Sequence, residues 1–248
     1  MVTRIAPTPS GFLHAGNRYN FQTTADLARE YAIPLALRID DVDAARFRSE
    51  YVDDIFNTLH ELRIDWEIGP RDTADFEAHW SQRKKSAYYR AELALLRGST
   101  LETYACRCSR SIISEVPSGG CPGQCRTAQH ELVAHESALR VHVPTDTTIS
   151  VNGVELNLDL ELGDFVIWRR DDLPAYQLVS VIEDRDLGTT HIVRGEDLLA
   201  STAAQIFIAS SLGADNLVTA HYVHHPLLTD ASGAKLSKSR QYGNPSHT

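Results

Sequence analysis

A loop near the start of the chain carries residue types that suit phosphate binding. Residues 7–17 read Pro-Thr-Pro-Ser-Gly-Phe-Leu-His-Ala-Gly-Asn, a stretch that cannot continue a strand or a helix. A helical pattern begins at about Gly16, and the free N–H groups and dipole at a helix start can hold a phosphate. His14 could donate a hydrogen bond to a phosphate oxygen as charge develops there. The alternative is a structural turn with a surface histidine.

A second candidate for phosphate chemistry lies near the end of the chain. Residues 235–239 read Lys-Leu-Ser-Lys-Ser and follow Gly233. Two lysines three residues apart can hold the β- and γ-phosphates of ATP while an acyl group attacks the α-phosphate. The alternative is a solvated basic segment with no catalytic part.

The cysteines form a third candidate site. All four fall within twenty residues, at Cys106, Cys108, Cys121 and Cys125. A disulfide framework would normally spread its cysteines along the chain, so this grouping predicts a metal site. Glycines at 119, 120 and 123 would let the backbone turn around an ion. Unmodified thiols or disulfides are the alternatives, and His130 or His135 could substitute as a ligand.

The elements that must position these residues follow an α/β pattern. A short apolar strand at 2–6, a helix over about 16–31 and a buried strand at 35–39 predict a parallel βαβ unit. The pattern resumes after residue 170 and ends with a strand before the lysine loop. The other predicted elements are helices at about 50–63, 78–97, 175–184 and 197–212, and strands at 191–193 and 219–223.

The segment from 100 to 170 differs from the rest of the chain. It contains the four cysteines and two strand-like runs, at 139–143 and 165–168. We therefore expect a catalytic α/β domain formed by 1–99 and 171–248, with 100–170 inserted as a small subdomain that carries a metal knuckle over 104–127.

Composition excludes several classes of protein. Of the 248 residues, 42% are hydrophobic and 23% are charged, which is typical of a globular protein and not of a disordered one. No apolar run approaches the ~18 residues of a membrane span. Since the sequence starts without a leader pattern, we expect a cytoplasmic protein. The net charge of −9 argues against a protein that coats nucleic acid, although a local basic surface stays open.

Taken together, the motifs resemble those of class I aminoacyl-tRNA synthetases, and among them the glutamyl branch. Residues 4–16 are similar to the family's Arg-Phe-Ala-Pro-Ser-Pro-Thr-Gly-x-Leu-His-x-Gly, and 235–239 to its Lys-Met-Ser-Lys-Ser loop. Residues 37–43 are similar to its Arg-Ile-Glu-Asp-x-Asp element. Two further blocks, at 164–178 and 192–197, match in the family's order. The resemblance implies a Rossmann-like parallel sheet with an inserted subdomain.

The resemblance also implies roles for individual residues. Arginines on two strands and a tyrosine would bind the side-chain carboxylate of glutamate, and further residues would line that pocket. Catalysis would be positioning and phosphate neutralisation by His14 and Lys238, with Mg²⁺ on the ATP. The glutamate-binding set is Arg4, Ala6, Thr8, Asp40, Tyr176 and Arg194, and the ATP-binding set is His14, Gly16, Asn17, Lys235 and Lys238.

Two positions depart from the family's pattern. Asn17 stands where the family has the last histidine of His-x-Gly-His. Asp40 replaces the glutamate that contacts the substrate's α-amino group, and this places the carboxylate about 1.5 Å further back. We expect weaker glutamate binding or a different amino acid if nothing compensates.

The cysteine segment 104–127 is similar to the zinc knuckle of glutamyl-Q tRNA(Asp) synthetases, the paralogues that have no anticodon-binding domain. Their third ligand is usually a tyrosine, whereas this chain has Cys121, and four thiolates suit a structural Zn²⁺. The resemblance implies ATP-dependent activation of L-glutamate and its transfer to the queuosine base of tRNA(Asp), by a monomer without a membrane partner. The chain ends soon after the lysine loop, so a truncated discriminating glutamyl-tRNA synthetase stays open.

Other functions also stay open. One is a ligase that passes glutamate or an analogue to a non-tRNA acceptor, and another is a non-catalytic sensor. The histidine-rich run 221–225 invites a metal interpretation, but we expect alternating residues of a strand instead.

Overall fold

The computed structural model describes residues 1–116 and 119–228, so the predicted lysine loop at 235–239 lies outside the described residues. The chain forms two compact units. The first comprises Met1–Lys84, Thr189–Asp197 and the described part of His221–Thr248, and the second comprises Lys85–Gly188 and Leu198–Ala220. These units do not test the expected insertion at 100–170, which stays a prediction.

The first unit is built on a parallel sheet of four strands in the order β2-β1-β8-β9. The predicted βαβ unit at its start is confirmed. Its strands are β1 (Thr3–Ile5), β2 (Leu35–Leu37), β8 (His191–Gly195) and β9 (His221–His225), and its helices are α1 (Ala15–Glu30), α2 (Ser49–Glu61) and the one-turn α3 (Thr73–Asp75).

One face of this sheet is covered by helices. Phe21, Ala25 and Ala28 recur at helical spacing on α1 and are buried in one cluster with Ile5 and Leu37. The apolar side of α2 joins the same cluster through further buried side chains. Burial of this kind contributes about 25 cal/mol per Å² of apolar surface, which fixes the sheet beneath the helices. Arg4, between Thr3 and Ile5 on β1, lies on the opposite face.

The predicted continuous helix over 78–97 is wrong in its first half. Phe76–Trp80 form a π-helical turn, Ser81 is extended with ψ 124°, Gln82–Lys85 form a 3₁₀ turn, and the α-helix α4 begins only at Ser86. The side chain of Ser81 and the backbone of Gln82 both bond to Asp41. These tertiary contacts override the local preference for a helix.

The second unit contains an antiparallel sheet of three strands, ordered β3-β4-β7, and a hairpin of β5 and β6. Its core includes Leu139, Ile167, Leu178 and Ile182, which are all buried. Its strands are β3 (Thr103–Cys106), β4 (Ala138–Val141), β5 (Thr148–Val151), β6 (Val154–Asn157) and β7 (Val166–Trp168). Its helices are α4 (Ser86–Arg97), α5 (Arg110–Ser114), α6 (Gln124–Thr127), α7 (Leu158–Glu161), α8 (Tyr176–Asp186), α9 (Leu199–Ser211) and α10 (Asp215–Val218).

Among the described residues, no helix is both long and apolar enough to span a membrane.

Candidate active site and cysteine cluster

The loop after β1 ends in a helix cap that fixes the tautomer of His14. His14 is the N-cap of α1, and its Nδ1 accepts a hydrogen bond from the backbone N–H of Gly16 at 3.1 Å. Since Nδ1 is an acceptor, the proton of the neutral imidazole lies on Nε2. The ring therefore presents an N–H donor on the side away from its own helix.

Gly16 is required by the same contact. A Cβ atom at this position would lie 2.9 Å from Cε1 and 3.0 Å from Nδ1 of His14. The imidazole is held in place by its bond to the Gly16 N–H, so a side chain here would push the ring out of its cap. The glycine of the predicted phosphate loop thus serves His14 directly.

Asn17 completes the cap, which gives a structural account of its departure from the family's histidine. Its Oδ1 accepts the backbone N–H of His14 at 3.1 Å. From α2, Asp54 accepts the N–H of Leu13 at 2.7 Å. The loop is therefore tied to both helices before it reaches the start of α1. Asp54 carried no sequence signal, because its partner is 41 residues away.

Arg4 and Arg194 emerge on the same face of the sheet. Thr3 pairs with His191 across β1 and β8, so Arg4 lies level with Ile192. Side chains two residues apart on a strand share a face, so Arg194 is on the face of Ile192 and of Arg4. Both arginines are buried, at 5% and 4% exposure. Ile5 and Leu37 lie on the opposite face, which packs against the helices.

The field of Arg194 acts on its neighbour in β9. His224 pairs with Arg194 in the parallel ladder. Burial, followed by the positive charges of Arg194 and His225, lowers the pKa of His224 to about 4. The imidazole of His224 is therefore neutral at physiological pH, and it adds no charge beside the guanidinium.

The carboxylate of Asp40 is held by two side chains. Arg38 donates from Nε at 2.7 Å and from Nη2 at 3.0 Å, which is the bidentate geometry that a guanidinium favours. The Nε2 of Gln82 donates to the same oxygen, Oδ1, at 2.8 Å. The side chain of Asp40 is 13% exposed. Arg38 and Gln82 were not predicted as site residues.

The adjacent Asp41 has a structural part. Its side chain is fully buried and accepts hydrogen bonds from the hydroxyl of Ser81 at 2.6 Å, the N–H of Gln82 at 2.7 Å and the Nε of Arg83 at 2.8 Å. Arg83 also lies over the ring of Phe47 at 3.8 Å. Asp41 thereby fixes the break at 81–83, where Ser81 is extended and the 3₁₀ turn begins, against the end of β2.

The remaining predicted site residues lie in different places. Ala6 is half-buried and Thr8 is exposed, both in the loop after β1. Tyr176 is the first residue of α8 in the second unit and is 45% exposed. Lys235 and Lys238 lie outside the described residues. The roles of all these residues stay predictions.

The histidine-rich run is a strand, as expected. His225 interacts through Nδ1 with the carbonyl of Pro226 at 2.9 Å and through Nε2 with the amide of Asn20 at 3.0 Å. Across 1–116 and 119–228, the cysteines alone form a cluster of three or more ligand side chains close enough to share a metal ion.

The four cysteines of the second unit converge. Their Sγ atoms all lie within 4.8 Å of one another, and Cys108 is 3.6 Å from both Cys121 and Cys125. Zinc–sulfur bonds of about 2.3 Å at tetrahedral angles place sulfurs about 3.8 Å apart, so the cluster fits that ion. All four thiols are free and buried. The disulfide alternative does not describe this arrangement, since bonded sulfurs lie about 2.05 Å apart.

The backbone around the cluster favours the thiolate of Cys121. Burial opposes ionisation of Cys121, but backbone N–H groups of Cys125 and Gly123 outweigh it and lower the pKa of Cys121 to about 7. Gly123 has φ +103°, which places its N–H in a turn that other residues rarely adopt. Burial raises the pKa values of Cys108 and Cys125, and hydrogen bonds from the other thiols add to the effect at Cys108.

Comparison with known proteins shows the same family over nearly the whole chain. The model of the catalytic domain of class I tRNA synthetases (E and Q) matches residues 1–243. A glutamyl-Q tRNA(Asp) synthetase of Burkholderia cenocepacia is 35% identical over 248 residues, covering 95% of this chain and 79% of the relative. One of Ectopseudomonas mendocina is 38% identical over 242 residues, covering 96% and 77%.

Two further matches are proteins of which this chain spans about half. A glutamate–tRNA ligase 2 of Nitrosococcus oceani is 34% identical over 256 residues and covers 96% of this chain but 53% of its own length. The crystal structure of a glutamate-tRNA synthetase from Elizabethkingia anophelis superposes with a TM-score of 0.77 at 20% identity, covering 99% of this chain. The chain spans about half of that solved protein (54%). Because the two sequences are only 20% identical, the likeness establishes the fold alone. On the sequence matches, the chain belongs to the class I tRNA synthetase family of the E and Q type.

Proposed function

We propose that the protein activates L-glutamate with ATP and transfers the glutamyl group to the queuosine base of tRNA(Asp). The observation that carries the proposal is the pairing of a phosphate loop with two buried arginines at one sheet. Family membership supports ATP use, and the relatives named glutamyl-Q tRNA(Asp) synthetases support the acceptor.

The amino acid is proposed to bind on the polar face of the sheet. Arg4 and Arg194 share that face, and two guanidinium groups can grip a side-chain carboxylate through bidentate hydrogen bonds. Tyr176 would add a neutral donor. The neutral state of His224 leaves the positive charge on the arginines, where the carboxylate is expected.

ATP is proposed to bind at the start of α1. The Nε2–H of His14, together with the dipole of α1, favours a phosphate at this end of the helix. Lys235 and Lys238 would neutralise the leaving pyrophosphate, with Mg²⁺ on the nucleotide. The substrate carboxylate is itself the nucleophile that attacks the α-phosphate, so no general base is needed.

The cysteine cluster is proposed to hold one structural Zn²⁺. Four thiolates complete a tetrahedral shell and leave no position open for catalysis. Zinc would supply the cation that four crowded thiols require. Its contribution would be to fix the fold of 104–127.

Pyrophosphate exchange tests the activation step. Glutamate should promote exchange between ATP and labelled pyrophosphate, and other amino acids should not. Lys238→Ala should slow exchange about 10²–10³-fold, because its contact strengthens in the transition state. Lys84, whose exposed Nζ bonds the carbonyl of Ala78, is the matched control, and K84A should be unchanged. A wild-type rate in K238A would contradict the assignment.

The acceptor is tested separately. Labelled glutamate should pass to tRNA(Asp) that contains queuosine, and not to the same tRNA with guanosine at that position. The likeness to the Nitrosococcus ligase favours a second candidate, charging of the 3′ end of a tRNA. Transfer to the tRNA that carries guanosine at that position, lost when the 3′-terminal adenosine is removed, would establish that candidate instead. The same proposal includes a cytoplasmic location, since ATP and tRNA are both present there. It also includes a monomeric state.

A further inference from the structure

The amide of Gln82 is held on one side and unsatisfied on the other. Its Nε2 donates to Oδ1 of Asp40 at 2.8 Å, so the amide is oriented with Oε1 away from that carboxylate. Oε1 is buried and has no hydrogen-bond donor within 1–116 and 119–228. A flipped amide would place two oxygens against each other, so the orientation follows from the contact.

The backbone of Gln82 is equally fixed. Its N–H donates to Asp41 at 2.7 Å, and Ser81 bonds the same carboxylate. Gln82 is 2% exposed. The residue therefore loses little conformational freedom when a ligand binds, and a buried acceptor without a donor carries a free-energy penalty that an arriving donor relieves.

We propose that Gln82 determines specificity for the substrate's α-ammonium group. It orients the carboxylate of Asp40 toward that group and accepts one of its N–H bonds at Oε1. An ammonium has three donors, so it can serve Asp40 and Gln82 together. This inference rests on the proposed activation of glutamate, and it supplies the compensation that the shorter Asp40 calls for.

Exposure sets the order of events. Asp40 keeps 13% of its side chain exposed, whereas Gln82 is nearly closed to solvent. In this proposal the ammonium contacts the partly exposed Asp40 first and Oε1 of Gln82 second. Because water does not reach Oε1 beforehand, the second hydrogen bond has no solvent competitor.

The test compares glutamate with glutarate, which keeps both carboxylates and has no ammonium. Calorimetry gives the ratio of the two affinities for wild type and for Gln82→Met, a variant of similar shape without donor or acceptor. The wild-type ratio should fall about tenfold in Q82M, the size of one hydrogen bond. In pyrophosphate exchange, KM for glutamate should rise about tenfold, while kcat and KM for ATP change little.

A matched control isolates the position. Gln22 on α1 also donates from Nε2 to a carboxylate, that of Asp26 at 3.0 Å, and Q22M should leave the ratio at the wild-type value. Because each ratio is taken within one folded protein, lost stability cannot imitate the effect. If Q82M does not fold, Gln82→Asn withdraws the amide by about 1.5 Å and should show the same fall.

Two results would overturn the inference. An unchanged ratio in folded Q82M or Q82N would show that Gln82 takes no part in ammonium recognition. Failure of the wild-type protein to bind glutamate would instead remove the proposed function, and this inference with it.

Discussion

The carboxyl edge of the parallel sheet and the cysteine cluster satisfy their polar groups in opposite ways. At the sheet, Asp41 accepts three hydrogen bonds from Ser81, Gln82 and Arg83, and the Nδ1 of His14 accepts the backbone N–H of Gly16. In the cluster, four buried thiols face one another at distances that suit a shared cation. Protein donors satisfy Asp41 and the Nδ1 of His14 at the sheet, whereas the four thiols lie at distances that suit one shared ion.

Because of this difference, the stability of the two regions depends on different interactions. A site built from protein hydrogen bonds loses stability in proportion to the bond removed, typically about 1–3 kcal/mol. A metal knuckle depends on one ion, and its ligands act as a unit. Mutations in the two regions should therefore differ in size and in how far their effects spread.

The largest effect is expected from the cluster. Cys125→Ser should abolish tight zinc binding and unfold the knuckle, since structural zinc supplies an apparent ~10–16 kcal/mol in small peptides. Hydrogen exchange should show lost protection over 104–127, while the parallel sheet of the first unit keeps its protection. Elemental analysis of wild-type protein purified without added metal should give one zinc per chain, and its absence would contradict this prediction.

At the sheet edge, Asp41→Asn should cost about 2–4 kcal/mol of unfolding free energy, because a fully buried acceptor of three hydrogen bonds loses its charge. Denaturant titration measures the loss. The control is Asp26→Asn, since Asp26 pairs with Arg29 on an exposed face of α1 and should contribute less than about 1 kcal/mol. Equal losses for the two variants would show that Asp41 does not fix the break at 81–83.

The same two regions show how far sequence reasoning reaches. The strand–loop–helix order around residues 3–30 follows from apolar periodicity and from Pro and Gly in the loop, and the structure confirms it. The convergence of the cysteines was predicted from spacing alone. Both signals are local in the chain, so the residues that produce them are visible together.

The break before α4 could not be predicted in this way. Residues 78–97 have helical periodicity, but Ser81 and Gln82 bond carboxylates 40 and 41 residues earlier. The bond from Gln82 to Asp40 could not be predicted for the same reason. Arg38 lies only two residues from Asp40, in the motif that named it, and was missed although this signal is local. Whether Asp40 acts as the family's glutamate does stays a prediction.

A third prediction concerns acid stability at the sheet. The pKa of His224 is lowered to about 4, below the ordinary value of 6.5. As pH falls from 6.5 to 4, the unfolded chain binds a proton that the folded protein does not, so stability is lost across that window. The loss should reach about 2 kcal/mol once solvent screening is allowed for.

Denaturant midpoints measured from pH 7 to 4 test this effect. His224→Gln should flatten the fall between pH 6.5 and 4, and His221→Gln, at the exposed start of β9, should not. If the midpoint of H224Q falls as steeply with pH as that of the wild type, other groups govern the loss of stability in acid.

The smallest effect is expected where both regions carry the same device, an asparagine that accepts a backbone N–H at a helix start. Asn17 accepts from His14 at 3.1 Å in α1, and Asn157 accepts from Leu160 at 3.1 Å in α7 of the second unit. Replacing either by Ala should cost about 1 kcal/mol of unfolding free energy.

Only Asn17→Ala should also slow pyrophosphate exchange, by about tenfold, because the loop that orients the His14 donor loosens and phosphate contacts depend on position. Asn17→Asp keeps an acceptor for the N–H and should restore stability, but its negative charge beside the phosphates should keep exchange slow. If N17A and N157A slow exchange equally, the cap at His14 has no role in catalysis beyond stability. Asn17 would then be a structural cap like Asn157 in the second unit.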